Sequence, residues 1–400
     1  MLPVQPISVY KASGHEQILA ALPPLSLYVH FPWCIQKCPY CDFNSHVLKK
    51  DTFDEKSYID YLLFDLESEL PFVWGRSVHT VFLGGGTPSL FSADAINTLL
   101  NGIRSRIKLL PGAEITMEAN PGTFEQDKFV GFKEAGVNRL SIGVQSFHDE
   151  QLQYLGRIHN VKEAKKAVTL AIDIFEKVNI DLMYALPKQT VVQAQYDVQT
   201  AIGLGVKHIS AYHLTIEPNT PFAQFPPKDL PEDDLSLDIE DIVHNELGKA
   251  DFEHYEVSAF SKEQNYCQHN INYWQFGDYI GIGAGAHGKI SYPTHIERTV
   301  RYKHPKEYIQ SVQAGLSNKQ RKMIQYDDLA FEFMLNVLRL SQGVPKSLFQ
   351  ERTGLSLVAI LPQLQKAQTL QLIEASPDLL KPTKLGKQFL NDLLGLFLKE

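Results

Sequence analysis

Six short, apolar, β-prone runs recur through the first half of the chain: LSLYVHF at 25–31, TVFLGGG at 80–86, EITMEAN at 114–120, RLSIGVQ at 139–145, NIDLMYALP at 179–187 and HISAYHLTI at 208–216. Helix-patterned segments separate them, among them YIDYLLFDLESEL, FEQDKFVGFKEAG and VKEAKKAVTLAIDIFEKV, with apolar residues at three- and four-residue steps. This alternation predicts an α/β protein with a parallel sheet, because neighbouring parallel strands need a crossover between them. Each run is close to continuously apolar, as expected of a strand covered on both faces. Right-handed crossovers can curl six such units into a partial (β/α)6 barrel; a doubly wound open sheet is the competing arrangement.

Polar residues stand at or near the carboxyl ends of these runs, namely Glu118, Gln145, Asp181 and Glu217. In a parallel α/β barrel that end binds ligands, although strand-end polarity alone also places such residues there. GGGTPS, Gly84 to Ser89, follows the second run, and its glycines suit either a close backbone approach to a ligand or a bare turn. After Pro221 the texture changes to PFAQFPPKDLPEDD, then to a helix pattern near 232–249, a strand-like FEHYEVSAFSK, and a stretch dense in aromatics, His and Gly. From about residue 324 the pattern is helical, and the short LLKPTKLG resembles the wing of a winged helix. These shifts divide the chain into an amino-terminal extension (1–24), a barrel core (25–231), a helix and strand extension (232–323) and a small, mainly helical carboxyl-terminal domain (324–400).

Three of the four cysteines, Cys34, Cys38 and Cys41, form CxxxCxxC within FPWCIQKCPYCDFNSH. One loop can turn three such thiolates toward a common centre. A closed zinc site wants four ligands, usually as two Cys/His pairs, and no second pair follows. A four-iron cluster also has four corners, so three thiolates would leave one iron open to an outside ligand.

A chain of 400 residues and 45.2 kDa with 44% hydrophobic content can bury a large core. Four cysteines make no extracellular disulfide framework, and thiolate ligands need a reducing compartment, which points to the cytoplasm. The segment MLPVQPISVYKASGHEQILAALPP lacks the order of a secretory signal, and no run is long and apolar enough to span a bilayer, so any membrane contact is expected to be peripheral. A net charge of −8 with no basic block argues against nucleic acid as a partner.

A cysteine loop after the first strand and a glycine run after the second are similar to the radical S-adenosylmethionine (SAM) superfamily, which implies a TIM-like partial (β/α)6 barrel. More closely, YVHFPWCIQKCPYCDFNSH, FLGGGTPS, ITMEANPG, LSIGVQSF, LGRIH and NIDLMYALPKQ together resemble the oxygen-independent coproporphyrinogen III oxidase-like group, over nearly the whole chain from Leu25. The resemblance implies a [4Fe–4S] cluster on Cys34, Cys38 and Cys41, with the open iron chelated by the amino and carboxylate groups of SAM. It further implies contacts to SAM from Tyr28, from the amides around Gly85, Gly86 and Thr87, and from Glu118, Gln145, Arg157 and Asp181. Structural roles remain open for Arg157, as a bridge between helices, and for Asp181, as the end of a strand. Tyr40, inside the loop, would stack on adenine or shield the cluster.

Within this group the coproporphyrinogen dehydrogenases carry CxxxCxxCxC, whereas position 43 here is Phe43. HNINYW, His269 to Trp274, instead resembles the HNxxYW signature of the heme chaperone family HemW. That resemblance implies heme as ligand, held by His269, and transfer to apo-hemoproteins such as those of the respiratory chain at the inner-membrane surface, without porphyrinogen decarboxylation. The alternative function is the dehydrogenase itself, a radical SAM enzyme. Chemically, an imidazole amid Tyr273, Trp274, Phe276 and Tyr279 suits heme, and equally those aromatics could fill a core while His269 and Asn270 satisfy backbone groups. Cys267 and His287 are further candidate ligands, although the c-type CxxCH arrangement is missing. A homodimer is compatible with these features.

Overall fold

The computed structural model describes residues 19–49, 53–123 and 125–398, so most of the 1–24 extension lies outside the described residues. The six expected strands form as β1 (Leu25–Phe31), β2 (Val78–Gly85), β3 (Leu109–Ala119), β4 (Arg139–Gln145), β5 (Lys177–Tyr184) and β6 (His208–His213), each parallel to the next. Helices α1 (Glu55–Glu69), α2 (Ala93–Arg106), α3 (Gln126–Ala135), α4 (Val161–Ile174) and α5 (Val191–Gly203) fall between them. Their starts are written locally. Asp54 accepts from the Ser57 amide, and Asn160 with Glu163 and Thr190 with Gln193 form reciprocal capping boxes that satisfy the orphan amides of α4 and α5.

On β1 the odd positions Leu25, Leu27, Val29 and Phe31 are buried in the main apolar core with the outer helices. The even positions Ser26, Tyr28 and His30 therefore face the other side of the sheet, the interior of the barrel. That alternation sets the whole site, because all six strands repeat it.

The 232–323 segment does more than extend the barrel. After α6 (Asp233–Lys249), β7 (Glu253–Glu256) and β8 (Ala259–Ser261) pair antiparallel beyond β6. The helix α7 (Gln268–Trp274) then carries the chain back to the opposite edge, where β9 (Asp278–Ile282) lies parallel to β1 as a seventh parallel strand. Antiparallel β10 (His287–Ser291), β11 (Ile296–Arg301) and β12 (Asn318–Met323) complete a 12-stranded sheet in the order β12-β11-β10-β9-β1-β2-β3-β4-β5-β6-β8-β7. Residues beyond 324 gather their own apolar core around Phe333, Val337, Phe349, Leu364 and Leu393, joined by Phe276 and Ile296. Within it Leu379–Leu380 of the LLKPTKLG stretch pairs antiparallel with Val344–Pro345.

Candidate functional site

The cysteine loop leaves β1 at its carboxyl end and is braced from four directions. Gly86 and Thr87 donate their amides to Phe31 O and Trp33 O at 2.6 and 2.8 Å, stitching the glycine run to the start of the loop. Gly85 adopts φ +110°, and a Cβ there would lie 2.5 Å from the His30 ring; one on Gly86 would lie 2.5 Å from Trp33 O. Only glycine allows these approaches. Asn44 donates to Ala284 O and Lys303 O at 2.9 and 2.8 Å, tying the loop's far end to the turns after β9 and after β11. Lys37 Nζ closes the loop on itself through Phe43 O and Ser45 O, and Phe222 N reaches Pro39 O from beyond β6.

The three thiols are partly exposed on this frame. Thr87 Oγ1 donates to Cys34 Sγ at 3.5 Å, and Arg157 Nη1 to Cys38 Sγ at 3.6 Å, so two sulfurs already face donors suited to a thiolate. Burial raises the pKa of Cys34 and of Cys41, and neighbouring thiols add to it. Three thiolates this close repel one another unless a cation or cluster sits among them.

Below the loop, inside the barrel, lie the strand-end residues. Tyr28 donates to His30 Nδ1 at 3.0 Å, while His30 Nε2 meets Asn44 O at 2.8 Å. A carbonyl only accepts, so Nε2 carries the ring proton, and burial keeps this histidine neutral with its pKa lowered to about 4. Glu118 on β3 accepts the Gly85 amide at 3.0 Å. Asp181 on β5 accepts from Asn179 Nδ2 at 2.8 Å and from Ser141 at 3.3 Å. Burial pushes Glu118 up to about 8, with Asp181 adding repulsion, and burial pushes Asp181 up to about 6. Arg157 is spent on Gly143 O at 2.7 Å and on Cys38, but its buried Nε has no partner. Gln145 ends β4 at a bulge with φ +73°, a left-handed backbone uncommon outside glycine.

These positions bring together all the sequence-derived candidates of the cluster and SAM set. One detail differs. The amides of Gly85, Gly86 and Thr87, expected to face a ligand, are engaged by Glu118, Phe31 and Trp33. They hold the loop against the barrel.

At the opposite, amino-terminal end of the strands α7 forms the barrel floor. Glu114 on β3 accepts the amides of Gln268 and His269 at 2.8 and 3.3 Å, satisfying the first turn of the helix, while Arg139 on β4 donates to Asn265 O at 3.0 Å. His269 points into the interior at 8% exposure, with Nδ1 2.9 Å from Thr80 Oγ1. The rings beside it are Phe82 and Tyr28, at centroid distances of 5.1 and 6.4 Å. Tyr273, Trp274 and Tyr279, expected to wall this imidazole, form their own cluster, and Trp274 and Phe276 pack against the carboxyl-terminal core. Burial lowers the His269 pKa to about 3, so the ring is neutral. Cys267 is 4% exposed and hydrogen-bonded toward Glu114, its thiol pushed up to about 12 by burial and that carboxylate, which makes it a poor thiolate ligand. His287 lies exposed at the start of β10, with Lys303 and Arg298 as its charged neighbours.

Sequence reasoning missed His30, Asn44, Thr80, Glu114 and Asn179. For the strand residues a signal existed: each is a polar residue at an inward position of an otherwise apolar run.

A parallel half-barrel with a three-cysteine loop at the carboxyl end of its first strand defines a protein of the radical SAM class, which carries a [4Fe–4S] cluster and SAM. Residues 28–198 match the family model described as the radical SAM superfamily, and residues 324–389 match the HemN C-terminal domain. The heme chaperone HemW of Escherichia coli K12 is 49% identical over 384 residues, covering 96% of this chain and 100% of the relative. That of Bacillus subtilis 168 is 34% identical over 382 residues, covering 94% and 99%. Among solved structures, coproporphyrinogen III oxidase (HemN) from Escherichia coli superposes with a TM-score of 0.80 at 23% identity, over 94% of this chain and 90% of that one, a likeness of fold. This chain belongs to the HemW family of heme chaperones.

Proposed function

We propose that this protein binds heme and passes it to apo-hemoproteins, on a barrel that also holds a [4Fe–4S] cluster and SAM. The observation that carries the reading is the pairing, in one barrel, of a three-thiol loop at the top with a neutral, inward-facing imidazole on the floor. Cys34, Cys38 and Cys41 would hold the cluster, whose open iron would take the amino and carboxylate groups of SAM. The remaining site fits that ligand: Glu118 and Asp181 are two carboxylates whose charged form burial disfavours and which a cationic sulfonium and ammonium would relieve. The orphaned Arg157 Nε offers a donor for a carboxylate, Tyr28 and Gln145 line the same interior, and the glycine run acts by holding the loop. His269 would give heme one axial nitrogen, with Phe82 and Tyr28 as its aromatic neighbours.

Phe43, 59% exposed where the dehydrogenases carry a further cysteine, supports a chaperone without porphyrinogen turnover. We place the protein in the cytoplasm, where thiolate ligands stay reduced, acting on acceptors at the inner-membrane surface. Among the described residues no helix is long and apolar enough to cross a membrane.

The test is anaerobic reconstitution followed, on one sample, by iron and sulfide counts, EPR with and without SAM, heme titration and transfer to a heme-depleted acceptor. Cys38→Ala is expected to abolish the cluster, Cys267→Ala to leave it, and His269→Ala to lower heme affinity and shift the Soret band at unchanged iron content. Sustained formation of protoporphyrinogen from coproporphyrinogen III would overturn the chaperone reading.

A further inference from the structure

A neutral imidazole has two nitrogens, and only the one without a proton can bind iron. Which one His269 offers is decided by its neighbours. Nδ1 lies 2.9 Å from Thr80 Oγ1, and Thr80 donates its own proton to Ser26 Oγ at 2.8 Å. A threonine hydroxyl has one proton to give. With that proton committed to Ser26, Thr80 can only accept at Nδ1, so Nδ1 bears the ring hydrogen. Ser26 is held as an acceptor from a second side, because Asn272, three residues on in the same HNINYW motif, donates Nδ2 to Ser26 Oγ at 2.8 Å and to Asp278 O at 3.0 Å. Asn272 thus occupies a second acceptor site on Ser26 and ties α7 to β1 beside the Thr80 hydroxyl. Among the described residues nothing hydrogen-bonds Nε2 of His269, and Thr80 and Ser26 are both almost fully buried, so bulk water does not compete for the arrangement.

We propose that Thr80 is the positioning residue that locks His269 in the Nδ1–H tautomer and presents Nε2 as its iron-binding nitrogen to the barrel interior. The proposal rests on His269 as the heme ligand. Metal-bound histidines ordinarily donate their second N–H to a carbonyl or carboxylate, which fixes the ring and raises its basicity. Here a hydroxyl on the neighbouring strand β2 supplies the acceptor, so helix and barrel must be docked for the nitrogen to be aimed.

Two measurements separate this inference from the reading beneath it. Long-range nitrogen–proton NMR on heme-free, histidine-labelled protein, with the His269 signals identified by their loss in His269→Ala, is expected to show Nδ1 protonated and Nε2 bare. Thr80→Val should bring in the other tautomer, and Thr80→Ser should restore the parent pattern. Heme titration is expected to give a loss of affinity of about 10- to 100-fold for Thr80→Val, with a shifted Soret band, recovery in Thr80→Ser and unchanged iron and sulfide content. Circular dichroism checks the fold of each variant, and Thr80→Ser, with its hydroxyl kept, is informative where Thr80→Val does not fold. A protonated Nε2 in the parent overturns the proposal, as does a Thr80→Val protein that binds heme like the parent while His269→Ala does not. A silent His269→Ala removes the heme ligand and the proposal with it.

Discussion

Glu118 and Asp181 stand two strands apart in the interior, and in the ligand-free protein each holds its proton to a higher pH than it would in solvent. Glu118 titrates at about 8 and Asp181 at about 6, whereas both ionise near about 4 in an unfolded chain. Between those values the folded state binds more protons than the unfolded one. Their contribution to stability is therefore full below about pH 4 and is lost as pH rises through about 6 for Asp181 and about 8 for Glu118. Glu118→Gln carries no titrating proton, so relative to it the parent is expected to lose up to about 1.4 kcal/mol per pH unit between about pH 5 and 8, read from urea midpoints at stepped pH. Addition of SAM should narrow the difference, since a cation favours the charged carboxylate. Parallel pH profiles for the two proteins would refute the buried-proton account. The candidates themselves were legible because each belongs to a patterned stretch. The three thiols announce themselves by spacing, and Glu118, Gln145 and Asp181 by their place at strand ends. Thr80 and Glu114 carry only the weaker signal of a polar residue at an inward strand position, and their partners lie more than 25 residues away. Only folding reveals the pairing.

The cysteine loop shows the same dependence between elements. Six apolar runs were readable as parallel strands because burial on both faces demands near-continuous hydrophobicity. β12 was not, since NKQRKM carries no apolar alternation and exists as a strand only by pairing with β11. β9 was hidden in a glycine- and aromatic-rich stretch, and its parallel pairing with β1 depends on α7 carrying the chain back across the barrel floor. This extension, whose later strand pairings the sequence pattern does not show, holds the cluster loop through the two bonds of Asn44 to Ala284 O and Lys303 O. Asn44→Ala is expected to speed iron loss from the reconstituted protein severalfold in air, while global stability falls only by the ~1–3 kcal/mol of two hydrogen bonds. Iron release followed by a chelator, beside a urea unfolding curve, distinguishes the two. An unchanged release rate would show that the loop does not need this brace.

At the scale of the molecule, barrel and extension are joined by buried charge. Thr80, beside His269, and Gly85, at the cluster loop, are separated by five residues of β2, about 16 Å at strand rise, so both proposed ligand sites open on one interior. That interior keeps its shape only if the sheet stays continuous from β12 to β7. Arg301 on β11, fully buried, donates Nε to Asp65 at 3.0 Å and Nη2 to Glu69 at 3.0 Å, both on α1 of the barrel, and also bonds Asn318 of β12. Arg321 completes the group with Glu69 Oε2 at 2.7 Å, and Tyr308 donates to Asp65 at 2.9 Å. Burial alone would raise the Glu69 pKa, but the two arginines outweigh it and hold the carboxyl below its usual range. A depressed carboxylate contributes stability above its unfolded pKa and loses it as pH falls. Arg301→Ala leaves Asp65 without this cation and Glu69 with one arginine, and is expected to cost about 3–5 kcal/mol near neutral pH. The gap between parent and variant should shrink as pH drops below about 4, where Glu69 is protonated in the unfolded chain and the arginine has less to stabilise. Urea unfolding of both proteins at stepped pH is the measurement. A gap that stays constant with pH would mean that Arg301 acts by packing alone, and that the joint between barrel and extension is not electrostatic.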